Sequence, residues 1–131
     1  MKPKVIRTER GWAGHFCGAY RCLFRRNTLL QYEGVSIVVS TVGLMQSLFA
    51  DAFFDDSKFI EIGSGRYYET MVFHSNKNDL RYHDADVLRG IDIESPWYIS
   101  EVDADDKANI MHDTVVEEMT ERLKAGEFVN E

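Results

Sequence analysis

Residues 103–126 read DADDKANIMHDTVVEEMTERLKAG, and this stretch decides the fold class. Ala108, Met111, Val115, Met119 and Leu123 recur at spacings of three and four, which puts them on one face of an α-helix. Asp103 or Asp105 can cap its start, where acids complement the positive end of the helix dipole. Arg122 and Lys124 fall in the last turn, and Gly126 sits just past the end. The pattern predicts a helix from about residue 105 to residue 125. Its apolar face needs a second layer to cover it.

The residues upstream read mostly as that second layer. Residues 35–42 are dense in β-branched side chains (Val35, Ile37, Val38, Val39, Thr41, Val42), which suits a buried strand. Residues 16–30 mix aromatic, aliphatic and basic side chains and read as one or two strands, with the polar residues 31–34 closing a hairpin. Residues 59–62, the Gly63-Ser64-Gly65 turn and residues 66–74 read as another hairpin. Alternation puts Tyr68, Thr70, Val72 and His74 on one strand face and Tyr67, Glu69, Met71 and Phe73 on the other. Residues 80–93 read as a strand broken near Gly90, and residues 97–102 as a short extended piece. Between them the period changes: Leu44, Met45, Leu48, Phe49, Ala52 and Phe53 form a helical stripe over residues 44–54. The expected architecture is a single α+β domain over residues 1–131, with a mostly antiparallel sheet, a long C-terminal helix and one short central helix.

No apolar run approaches the roughly 20 residues of a membrane span. Lys2, Lys4, Arg7 and Arg10 lead into no apolar stretch of the signal-peptide kind. The expectation is a cytoplasmic protein whose Cys17 and Cys22 are thiols.

Charge is split end to end. Residues 1–30 carry a net +6, residues 79–131 a net −10, and the chain as a whole −7. Such polarity bears on partners more than on fold. Arg7, Arg10, Arg21, Arg25 and Arg26 interleave with Trp12, Phe16, Tyr20 and Phe24, the mix with which a sheet binds single strands. The acidic half opposes that reading, because non-specific binding depends on neutralising phosphates. Direct nucleic-acid binding is therefore not the expectation. The plainer alternative pairs the basic segment with the acidic half inside the fold or across a dimer.

His15, Cys17 and Cys22 form H-x-C-x4-C, with His74 and His83 further on, and are candidate zinc ligands. No second tight pair accompanies them, so both cysteines read as small buried hydrophobes, and no metal or cofactor is expected. Asp84 and Asp86, with Glu69 or Asp92, could hold magnesium, but a solvated strand face explains them as well. An enzyme built on His15, Glu69 and His83 is a rival reading, although no catalytic motif supports it.

Three stretches together carry a resemblance: residues 10–16 (RGWAGHF), 24–30 (FRRNTLL) and 68–74 (YETMVFH). They resemble small proteins carried by prophages, plasmids and bacterial genomes, over most of the chain. The resemblance implies a mobile-element context, in which small acidic proteins act as inhibitors of host defence, anti-CRISPR proteins among them. It transfers no activity residue by residue. The expected function is inhibition of a host nucleic-acid-handling defence complex by direct protein binding. Arg10, Trp12, Arg25, Arg26 and Tyr68 are the expected anchors, with Asp103, Asp105 and Asp106 as a second patch. Phe53 and Phe54 suggest a homodimer.

Overall fold

The computed structural model describes residues 4–11, 22–46, 59–75 and 85–128. Seven strands form one antiparallel sheet: β1 (Ile6–Gly11), β2 (Cys22–Tyr32), β3 (Val35–Gln46), β4 (Phe59–Ile60), β5 (Tyr68–Ser75), β6 (Ala85–Ile91) and β7 (Tyr98–Ile99). The main order is β1-β2-β3-β5-β6, with β4 added on β3 and β7 on β5. Helix α1 (Asp105–Lys124) crosses one face. The α+β expectation and the long C-terminal helix hold.

β2 and β3 meet at the two-residue turn Glu33-Gly34, whose φ angles of 47° and 84° are those of a tight hairpin turn. β3 then runs on to Gln46, four residues beyond the β-branched core of the strand. This corrects the expected central helix. Residues 44–46 are strand, because Met45 pairs with Cys22 on one side and with Ile60 on the other. The remainder of that stretch, with Phe53 and Phe54, lies outside the described residues, and α1 is the one helix among those described. The expected hairpin of residues 59–74 closes only as a tight turn, through Ile62 N donating to Arg66 O at 2.8 Å. The ladder of β4 is made with β3, not with β5.

Two apolar clusters lie between sheet and helix. Leu30, Ile37, Val39 and Val72 meet Val115, Val116, Met119 and Leu123 of α1. Phe24, Leu44 and Tyr68 meet Ala104, Ala108 and Met111. The alternation read for β5 is the one observed, with Tyr68 and Val72 facing the helix. The other sheet face is buried too, around Val38, Phe73 and Ala85 and around Cys22, Val42 and Met45. No described helix is long and apolar enough to cross a membrane.

Candidate functional site

A polar band separates the two apolar clusters under α1. The β2–β3–β5 register sets Arg26, Thr41 and Thr70 side by side, and α1 lays His112 over them. His112 has no exposed surface. Its Nε2 lies 2.7 Å from Thr28 Oγ1 and its Nδ1 2.6 Å from Thr41 Oγ1. Thr28 donates its hydroxyl proton to Glu9 Oε2 at 3.0 Å, so its oxygen accepts from Nε2–H. Nδ1 then accepts from Thr41, whose oxygen accepts from Thr70 at 2.6 Å. Thr28 fixes the proton on Nε2, and with the buried ring neutral Nδ1 is the acceptor. Burial, helped by the nearby Arg26 charge, pushes the His112 pKa down to about 4. With both nitrogens satisfied and no surface, this histidine holds the layers together rather than meeting a substrate.

The same band pairs two arginines of the basic end, Arg7 and Arg26, with carboxylates. Arg26 donates to Glu9 Oε1 at 3.0 Å, to Asn109 Oδ1 at 3.2 Å and to Asp113 Oδ1 at 3.1 Å. Arg7 donates to the same Asp113 oxygen at 3.0 Å. Partial burial opposes ionisation of Asp113, but Arg7 and Arg26 outweigh it and hold its carboxyl below the usual range. In Glu9 burial is likewise outweighed, by Arg26 and the Thr28 hydroxyl. Arg10 and Arg25 also have interactions within the fold. Arg10 falls where the β1–β2 register slips between Glu9 and Gly11. Arg7 and Arg26 of the basic segment are thus tied from within to Asp113 of the acidic half.

Tyr68 has no surface to offer a partner. It is fully buried, packed edge-on against Phe24 and over Gly43, where a Cβ would stand 2.2 Å from its ring. Its hydroxyl donates to Asp105 Oδ1 at 2.6 Å and accepts from Ala104 N at 2.8 Å. Burial, and then Asp105, push its pKa up. α1 has no side-chain cap, so neither Asp103 nor Asp105 caps it; the Tyr68 hydroxyl instead accepts the N–H of the N-cap residue, Ala104.

Cys22 is a buried thiol on β2, while Trp12, His15, Cys17, His83 and Asp84 lie outside the described residues. Among the described residues no group of three or more His, Cys, Asp or Glu side chains could hold a metal ion. Asp86 pairs with Arg89 at 2.8 Å, and the buried Glu69 lies 3.7 Å from Arg66. A cavity of about 380 Å³ opens between β6 and β7, lined by Thr70, Met71, Gly90, Asp92 and Trp97 among others. Asp92 is the one Asp, Glu, His, Lys, Arg, Cys or Tyr in that lining among the described residues.

Asp103, Asp105 and Asp106 are brought together. They stand exposed at the start of α1 around a hollow of about 230 Å³ shared with Leu44. Leu44 and Asp103 both adopt positive φ, 54° and 53°, so the backbone is bent sharply on both sides of the hollow. Neither Asp103 nor Asp106 has a cation partner among the described residues, whereas Glu101 nearby is held by Lys107 at 2.8 Å.

Sequence reading missed His112, although it lies four residues after Ala108 and belongs to the same helical face. It also missed Glu118, which accepts from Ser95 N at 2.9 Å, Ser95 Oγ at 2.6 Å and Arg122 at 2.9 Å. Comparison of the chain with protein-family models, with curated proteins and with solved structures finds no match.

Proposed function

We propose that this chain is a phage or mobile-element protein that inhibits a host nucleic-acid-handling defence complex by direct binding, in the manner of an anti-CRISPR protein. The observation that carries this reading is the acidic corner at the start of α1. Asp103, Asp105 and Asp106 stand exposed together, and none of the three pairs with a cation among the described residues. Such a corner presents carboxylates to the Arg and Lys side chains with which another protein grips phosphates. Arg7 and Arg26 are already held by Glu9 and Asp113, so these two charges offer little repulsion to a basic groove. Leu44 adds an apolar contact beside the three acids.

The test is capture from a lysate of a bacterial host with a tagged copy, comparing wild type with a D103N/D106N variant. Asp105 is left intact because it holds Tyr68. The expected result is enrichment of a nucleic-acid-binding defence complex, weakened about tenfold in the variant and less dependent on salt. Failure to enrich such a complex, or equal capture by both proteins, would overturn the reading.

A further inference from the structure

Between the pairs Val72–Ile91 and Glu69–Tyr98, β5 has two residues, and the chain facing it has six, Asp92 to Trp97. Those six leave the edge as a loop, and the cavity of about 380 Å³ lies along the gap. The loop is held in place from α1. Glu118 accepts from Glu94 N, Ser95 N and Ser95 Oγ, and Arg122 donates to Asp92 O at 2.9 Å. Its far end returns to β5 through Thr70 N, which donates to Trp97 O at 2.7 Å. The Arg66 guanidinium, 5.0 Å from the centre of the Trp97 ring, steadies that wall. The cavity is therefore formed before anything enters it, and its volume suits a small molecule.

Gly90 points to an occupant. It is interior to β6, where glycine weakens a strand and marks a bend, a close neighbour or the approach of a ligand. Its φ is not positive, and a Cβ built on it would meet nothing nearer than 3.9 Å, at the Phe73 ring and Val72 O. Neither the backbone nor the packing calls for glycine, and its bare Cα leaves the cavity wall open. The rest of the lining sets the chemistry. Met71, Val72, Ile91, Ile93 and Trp97 make it largely apolar. Its one charge is the exposed Asp92, whose carboxylate pairs with no cation among the described residues. Carboxylates prevail on the loop side, where Arg122 is already shared by Glu118 and Glu127 and Glu94 stands exposed. On the Trp97 side, Arg66 is faced by Glu69 at 3.7 Å.

We propose that this cavity binds a small organic ammonium ion with an apolar body. The body lies against Met71, Ile91 and Trp97, in the space that Gly90 leaves open, and the ammonium group meets Asp92. An apolar cavity with one unpaired carboxylate is complementary to such a cation. A neutral ligand of the same shape gains nothing from Asp92, and an anion is repelled by it and by the carboxylates of the loop side. The inference is independent of the proposed inhibitory role.

Two-dimensional NMR of the full chain, titrated with phenethylammonium, tests it, with neutral phenethyl alcohol and the anion phenylacetate as comparators. Wild type is expected to show saturable shifts at the amides of Met71, Gly90, Ile91 and Asp92 and at the Trp97 indole. It is expected to bind the ammonium about fivefold more tightly than the alcohol, and phenylacetate more weakly than either. D92N, a change at an exposed position, is expected to bind ammonium and alcohol alike. G90V puts a strand-favouring side chain into the opening. It is expected to lose binding of both while its thermal stability holds or rises, the opposite of what a purely structural glycine would show. Circular dichroism checks that both variants are folded. Absence of saturable shifts at the named residues overturns the proposal. So does an ammonium bound no more tightly than the alcohol, a preference that survives in D92N, or full binding by folded G90V.

Discussion

At the scale of single residues, His112 decides how this protein responds to acid. The folded chain keeps the imidazole neutral, with a pKa near 4 against an ordinary 6.5. Above about pH 6.5 the unfolded chain is neutral too, and the hydrogen-bonded histidine contributes its full stabilisation. As pH falls from 6.5 toward 4, the unfolded chain takes up a proton that the folded one refuses. About 3 kcal/mol is lost over that window. Denaturant unfolding at a series of pH values measures it. The variant H112Q is expected to be less stable at pH 7 by about 2–4 kcal/mol, through unmatched threonine hydroxyls, and to show a flatter profile between pH 6.5 and 4. An unchanged slope would exclude His112 as the source. Below that window Glu9 and Asp113, held below the usual carboxylate range, lose their contribution as they protonate.

At the scale of elements, α1 ends as its sequence demands and begins as its surroundings allow. Gly126, at a φ of 75°, lets its own N–H bond Leu123 O at 3.0 Å and Glu127 N bond Arg122 O at 3.2 Å, a glycine-stopped terminus. The start has no such local device and relies on Tyr68 across the layer. Glu118 is the second tie between helix and edge. Burial opposes its ionisation, but the hydroxyl and backbone N–H groups of residues 94–95 and Arg122 hold its carboxyl below the usual range. Replacing it (E118A) leaves the Glu94 and Ser95 N–H groups unmatched and is expected to cost about 1–3 kcal/mol in thermal or urea unfolding. Amide exchange should quicken at Glu94 and Ser95 ahead of the strands, and uniform quickening would argue against a local tie.

At the scale of the whole molecule, the two ends of the chain meet. β1 is an edge strand, and Arg7 joins it to Asp113, 106 residues away on α1. Exposed ion pairs contribute little to global stability. The variant D113A is therefore expected to shift stability by less than about 1 kcal/mol while β1 amides exchange several-fold faster. Hydrogen exchange read residue by residue checks this, and unchanged β1 protection would show that β2 alone holds the edge.

The helix was legible in residues 103–126 because its stripe, basic last turn and glycine stop are all local, and 105–124 is what forms. The β2–β3 hairpin and the face assignment of β5 were legible for the same reason: both follow from neighbours in sequence. Three things were not. Residues 44–46 carry a helical spacing, yet strands on both sides of them supply hydrogen bonds that an isolated segment lacks. Tyr68 and His112 are ordinary members of an alternating strand and a helical face until the packing of α1 on the sheet sets Gly43 and Asp105 against the one and two threonines against the other. The charge polarity of the chain was plain from its residues, but Coulomb attraction acts through space, and only the packing of α1 on β1 and β2 brought Asp113 to Arg7 and Arg26. Sequence by itself determined which segments take which local form. Tertiary structure decided which charges and polar groups would be matched, and so which acids, at the start of α1, stand exposed without a cation among the described residues.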